Sequence, residues 1–294
     1  MRKPKSFFLL LGLIVLGSWL SRGPANLSFS ELESVSRLVA HRAILESDTV
    51  PNSRSALRAV FDYNPNAEAE IDVRQTNDGG FVLLHDADIQ NETNGKGLVQ
   101  ERSSTELLRF VRKDGNGRMT REPVAFLEDA LVLLREYPNA RLQLDAKLED
   151  QRSFVLLAKL ISAHPHVRGR VTISSGNGDV LCRLSRQFPH LEFGLDIGSK
   201  MLSGPDLSDI LRYIEACGVS SIYVDFNKLA RMSDASARDV VGKFQEQGVA
   251  VAVWTVDDPL DALRVFWWGA DKMTTNRIIE IGDYAAYVNS YVRH

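Results

Sequence analysis

Cysteine is almost missing from this 294-residue chain, which has only Cys182 and Cys217. A disulfide-built scaffold is thereby excluded, because such domains use several bridges in place of a large core. Both cysteines sit in segments with helical patterning, "VLCRLSRQF" and "ILRYIEACG", at no metal-type spacing. Two packed thiols are expected, with a single bridge as the alternative in an oxidising compartment. Blocks of like charge are also missing. Lys and Arg number 35 against 38 Asp and Glu, a net charge of -3, so no electrostatic footprint for nucleic acid exists. No internal repeat or low-complexity tract appears, and apolar runs are short with one exception. "MRKPK" precedes "SFFLLLGLIVLGSWL", an uncharged apolar stretch behind a basic cluster, which is the layout of an export signal. Residues 1–24 read equally as a signal peptide or as an N-terminal membrane anchor. The run falls short of the ~20 residues of a comfortable span, yet no clear cleavage site follows it. As an anchor, residues 6–20 would tether the protein to a membrane, and on either reading the chain is expected to be exported, periplasmic or extracellular.

Residues 25–294 are long enough for one large α/β domain, with 44% hydrophobic and 25% charged residues over the whole chain. Eight short apolar runs recur between helical segments: "RLVAH" (37–41), "EAEIDV" (68–73), "RLQLDAK" (141–147), "RVTISS" (170–175), "EFGLDI" (192–197), "SSIYVDF" (220–226), "VAVWTV" (251–256) and "ADKMTT" (270–275). The segments between them carry apolar residues at i, i+3, i+4 and i+7 and end in Gly or Pro, as helices do. Eight such alternations predict a (β/α)8 TIM barrel, with an open doubly wound sheet as the lesser option. One stretch breaks the pattern. After the second strand, "TNDGG" has the chemistry of a hairpin turn. The strand "FVLLHD" that follows must therefore run antiparallel and cannot be a barrel strand. Residues 74–120 are read as a small insertion after strand 2, lying over the barrel mouth.

Barrel active sites lie at the C-terminal ends of the strands. His41 and Arg42 end the first strand. Glu70 and Asp72 end the second, and their i, i+2 spacing sends both carboxylates to one face. Asp145 and Lys147 repeat that geometry on the third. Inward carboxylates are costly to bury without a partner or a cation. Three of them with only oxygen ligands on offer suit Mg²⁺ or Ca²⁺ better than zinc. His41 and His85, the latter ending the inserted hairpin, can approach one mouth from different sides, as general acid and base chemistry requires. Arg42 offers a fork for a phosphate oxygen.

In order along the chain, "HRAILESDTVPNSRSALRAVF", "AEIDVRQTNDGGFVLLHD", "TNGKGLV", "LQLDAK", "VAVWTVDD" and "GADKMTTN" resemble the glycerophosphodiester phosphodiesterases over nearly all of residues 37–280. The resemblance implies a (β/α)8 barrel with an insertion after its second strand. It implies metal-dependent hydrolysis of a small-molecule phosphodiester, a glycerophosphodiester, to sn-glycerol 3-phosphate and an alcohol. By position, His41 and His85 become the acid–base pair, Glu70, Asp72 and Asp145 the ligands of a divalent Mg²⁺ or Ca²⁺, and Arg42, Lys147 and Trp254 the substrate contacts. The chain departs from the pattern at four points: Ala43 where glycine is usual, "PNSRSA" in place of Pro-Glu-Asn-Thr, Asp145 in place of Glu, and Asn276 in place of Asp. Ala43 is strained if its backbone needs a positive φ. Both histidines and the Glu-x-Asp pair are kept, so an active enzyme with altered substrate preference is expected. Two alternatives remain: lysophospholipase D-like action on a lysolipid substrate, or an exported binding protein of the same fold with weakened catalysis.

Overall fold

Alternation decides which face of each strand meets the helices. On the second strand Ala69, Ile71 and Val73 are fully buried among helix side chains, while Glu68, Glu70 and Asp72 face the barrel interior. The computed structural model describes residues 38–292 apart from 47, 199–201 and 203, with the backbone alone for 205 and 286–292. The expected leader, residues 1–24, lies outside the described residues. Among the described residues no helix is long and apolar enough to cross a membrane.

The strands are β1 (Leu38–Ala40), β2 (Glu68–Gln75), β3 (Phe81–Leu83), β4 (Val111–Lys113), β5 (Met119–Pro123), β6 (Arg141–Ala146), β7 (Val171–Ser175), β8 (Glu192–Asp196), β9 (Ser221–Asp225), β10 (Ala250–Trp254) and β11 (Lys272–Thr275). Eight are parallel and close on themselves. The order runs β1, β11, β10, β9, β8, β7, β6, β2, and β1 pairs with β2 to seal the ring. β3 pairs antiparallel with β2 outside the ring, Val73 opposite Leu83. The predicted turn between them is closed by Thr76 N–H donating to the Gly80 carbonyl at 2.9 Å, with Gly79 supplying a φ of 90°.

The outer helices obey local signals. Ser53 caps Arg54–Tyr63 by accepting from Ala56 N, Asp150 caps Gln151–Ser162, and Asn177 caps Gly178–Gln187. The helix Pro259–Trp268 starts at the Asp258 cap and ends at Gly269, whose φ is 85°. Cys182 and Cys217, on the neighbouring helices Gly178–Gln187 and Gly204–Cys217, form a disulfide, their Cα atoms 4.6 Å apart. This corrects the expectation of two packed thiols. Spacing in sequence could not show that the two helix faces meet.

The insertion carries its own small core. Val82, Leu84, Ile89, Val99, Leu107 and Val124 pack together, separate from the main cluster. The ribbon β4–β5 reaches Pro123, slightly beyond the expected end of the insertion at residue 120.

Candidate active site

Register creates the acidic centre. In the β2–β6 pairing Glu70 lies beside Gln143 and Asp72 beside Asp145, so the pleat that turns Asp72 inward turns Asp145 inward next to it. Oxygens of Glu70, Asp72 and Asp145 all lie within 4.8 Å of one another. Glu70 is 4% exposed and Asp72 2% exposed, so little water screens them. Burial, and then repulsion from Asp72 and Asp145, pushes the Glu70 carboxyl well above its usual range. Burial likewise raises Asp145, against the pull of Lys147. The cations facing these acids are Lys147, whose Nζ lies 3.4 Å from Asp72 Oδ1 and pairs closely with Asp145, and Arg42, whose Nε is 3.5 Å from Asp72 Oδ2. Burial acts to lower the Lys147 ammonium, but Asp145 and Asp72 outweigh it and hold it above its ordinary value. Three carboxylates against two cations leave a deficit of positive charge inside a buried cup. An all-oxygen donor set with that deficit can hold a divalent cation.

The loop after β1 wraps this cup. His41–Ala43 form a tight turn in which Arg42 and Ala43 take φ values of 51° and 56°. The turn points the Arg42 N–H at Glu70 Oε2, 2.9 Å away. Ala43 thus does take the positive φ that strains an alanine. Asn52, also at positive φ, donates from Nδ2 to Asp72 Oδ2 at 2.9 Å and accepts from Asp72 N at 2.9 Å. It thus holds Asp72 by both its carboxylate and its backbone, at the point where the chain departs from the family's Pro-Glu-Asn-Thr.

Both histidines are anchored through Nδ1. His41 Nδ1 meets Asn276 Oδ1 at 2.8 Å, while its Nε2 lies 3.9 Å from Glu70 Oε2. Burial is the main cause of a lowered His41 pKa, partly offset by the Asn276 bond. His85 Nδ1 meets Asp86 Oδ1 at 2.7 Å, and Asn91 Nδ2 holds the other oxygen of Asp86 at 2.7 Å. The His85 carbonyl accepts from Arg74 Nε at 2.8 Å, which ties it to the end of β2. Arg112, fully buried, braces the loops that carry these residues. Its guanidinium donates to the carbonyls of Pro51, Asn52 and Leu83 and to Glu92 Oε2, and Glu92 in turn accepts from Asp86 N at 2.7 Å.

His41, Arg42, Glu70, Asp72, Asp145 and Lys147 are thus joined by direct contacts, while His85 stands on the insertion, tied to the end of β2 through Arg74. Trp254 stands half-buried at the end of β10, at the same rim, beside Asp225 in register. Sequence reasoning missed Asn52 and Arg112. Asn52 sits in a turn signal, and Arg112 shows only as a cation at the head of the polar run "RKDGNG".

The barrel mouth thus holds an acidic cup with the His41 imidazole and two cations against it and His85 on the adjoining insertion. Residues 48–280 match the glycerophosphoryl diester phosphodiesterase family, and the chain belongs to it. Hydrolysis of glycerophosphodiesters toward glycerol 3-phosphate is the general activity of that family. A glycerophosphodiester phosphodiesterase from Caldanaerobacter subterraneus is 26% identical over 248 residues, which cover 81% of this chain and 93% of that protein. Among solved structures, a glycerophosphodiester phosphodiesterase of Parabacteroides distasonis superposes with a TM-score of 0.68 at 23% identity, covering 88% of this chain and 98% of that one. A phosphodiesterase from Oleispira antarctica, solved in complex with the product sn-glycerol-3-phosphate, gives a TM-score of 0.69 at 17% identity, covering 87% and 98%.

Proposed function

We propose that this mouth hydrolyses glycerophosphodiesters to sn-glycerol 3-phosphate and an alcohol by proton transfer between His41 and His85, with Mg²⁺ or Ca²⁺ held by Glu70, Asp72 and Asp145. The observation that carries the reading is the shared anchoring of the two imidazoles. Each is held through Nδ1, which leaves Nε2 for chemistry, and His41 Nε2 faces the acidic cup. A bound divalent cation supplies neutralisation of the negative charge that the phosphoryl oxygens carry.

The remaining steps belong to the side chains. Arg42 and Lys147, whose Nε and Nζ lie 3.5 Å and 3.4 Å from Asp72, stand where the phosphate would meet the acidic cup. His41, kept neutral by burial, takes the proton of the attacking hydroxyl on Nε2. That hydroxyl is water, or the glycerol 2-hydroxyl when a cyclic phosphate forms first. As the new P–O bond forms, the bond to the alcohol breaks, and the departing oxygen takes a proton from His85 Nε2. Trp254 lines the substrate side of the rim. The product described for the Oleispira antarctica relative supports glycerol 3-phosphate as the retained half. An exported location is supported by the disulfide, since such bonds persist in oxidising compartments.

The test strips metal by chelation and follows glycerol 3-phosphate release from glycerophosphodiesters with Mg²⁺ or Ca²⁺ restored. His41→Ala, His85→Ala and Glu70→Ala are each expected to lower turnover by a factor on the order of 10² or more. Metal-restored activity that survives in all three variants would sink the proposal.

A further inference from the structure

We infer that Asn276 and Asp257 are positioning residues that lock His41 in its Nδ1–H tautomer, so that Nε2 presents a lone pair to the mouth. The inference rests on the reading of His41 as the proton acceptor. An amide beside a histidine is ambiguous, because its oxygen and its nitrogen suit opposite tautomers. Here a third group removes the ambiguity. Asn276 Nδ2 donates to Asp257 Oδ2 at 2.8 Å, and a carboxylate can only accept. Asn276 Oδ1 must therefore be the atom that faces His41 Nδ1, 2.8 Å away, and Nδ1 must carry the proton. Flipping the amide would set its oxygen against the carboxylate. The Nε2–H tautomer would set the Nδ1 lone pair against the amide oxygen.

Asp257 is itself fixed. Its Oδ1 accepts from Asn276 N at 2.8 Å and from Thr275 Oγ1 at 3.1 Å. The three residues follow adjacent strands of the ring, Asp257 after β10, Asn276 after β11 and His41 after β1, so the barrel closure sets their spacing. This gives Asn276 a function at the point where the family pattern has an acid. The amide passes the directional demand of a carboxylate to the imidazole without placing that carboxylate against it.

The experiment compares the metal-loaded full chain with Asn276→Ala, Asp257→Asn and the exchange Asp257→Asn with Asn276→Asp. In Asp257→Asn the amide oxygen stays on Asn276 N and Thr275 Oγ1, so its NH2 meets Asn276, which must turn its own oxygen there and its NH2 toward His41 Nδ1. In the exchange a carboxylate at 276 meets Nδ1 and can only accept, while the amide at 257 donates to it. The expected result is a kcat lowered on the order of 10² in Asn276→Ala and about tenfold in Asp257→Asn, with KM within twofold, and most of kcat regained in the exchange. Imidazole ¹⁵N shifts, with the His41 signal assigned by its loss in His41→Ala, should show Nδ1–H alone in the parent and in the exchange, mixed tautomers in Asn276→Ala and a shift toward Nε2–H in Asp257→Asn. An unchanged tautomer in both single variants, or an exchange as impaired as Asp257→Asn, would overturn the inference. Full activity in His41→Ala would instead overturn the role given to His41, and the ¹⁵N shifts would still report on the lock.

Discussion

Ala43 shows how a strained residue can be tolerated beside a reactive one. A left-handed alanine costs about 1–2 kcal/mol. Glycine in its place would forfeit a buried methyl worth roughly 0.8 kcal/mol and raise the chain entropy of the unfolded state by about 0.4–1 kcal/mol. The terms cancel to within about 1 kcal/mol, so Ala43→Gly is expected to move Tm by no more than about 2–4 °C. A thermal melt showing a much larger rise would mean that the strain is not offset. Glu70 carries the opposite conflict, between stability and function. With metal chelated, its raised pKa means that the folded state keeps a proton the unfolded state releases above the ordinary carboxylate value of 4.5. Stability must then fall as pH rises from that value toward the folded-state pKa. Glu70→Gln keeps an oxygen for the Arg42 N–H but removes the charge. The chelated variant should melt higher than the chelated parent at pH 8, by a margin that shrinks toward pH 4.5, while its metal-restored turnover is lost. A parent that melts at the same temperature as the variant at pH 8 would show that Glu70 carries no such penalty. Glu70, Asp72 and Asp145 were legible in sequence because strand alternation alone sends them to one face. Asn52 was not, because its function depends on a loop conformation that no period encodes.

At the scale of elements, the eight barrel strands could be read from periodicity, whereas the insertion was legible only up to its first hairpin. "TNDGG" announces a turn by local chemistry, so the antiparallel return of Phe81–Leu83 followed. The ribbon Val111–Lys113 with Met119–Pro123 has short strands whose burial alternates against residue type, Arg112 buried and Met119 exposed, so no apolar period announces which face packs. Arg112 is the clearest case. A cation in a polar stretch reads as solvated, yet it is fully buried and joins the loop before helix Arg54–Tyr63 to the insertion through three carbonyls and Glu92. Arg112→Met would leave those acceptors and the Glu92 carboxylate without their donor. Removing one partner of such a buried pair costs about 3–5 kcal/mol. The insertion should loosen before the barrel does, because its core is separate. Limited proteolysis should then cut within residues 114–118 at a protease level that spares the parent, and kcat should fall because Asp86 and His85 hang from Glu92. Equal resistance to cleavage would show that the small apolar core holds the insertion without Arg112.

For the whole molecule, the one covalent link lies away from the mouth and bears on where the chain folds. Cys182 and Cys217 are separated by 35 residues, and their bridge joins two neighbouring outer helices behind β7 and β8. Closing a loop of that length restricts the unfolded chain and is worth about 2–4 kcal/mol. None of the proposed site residues touches it, so its loss should act on stability and leave the chemistry alone. The double variant Cys182→Ser with Cys217→Ser is expected to melt several degrees lower. Its kcat and KM for a glycerophosphodiester, measured well below that temperature, should match the parent. The same bond tests whether residues 1–24 direct export at all. If residues 1–24 direct export, the full chain should be recovered oxidised from an oxidising compartment, and free thiols should appear only when those residues are removed and the protein is made in a reducing cytosol. Thiol labelling after rapid acid quench distinguishes the cases. Free thiols in the full chain in its natural host would overturn the exported location and leave the bridge without the environment that maintains it.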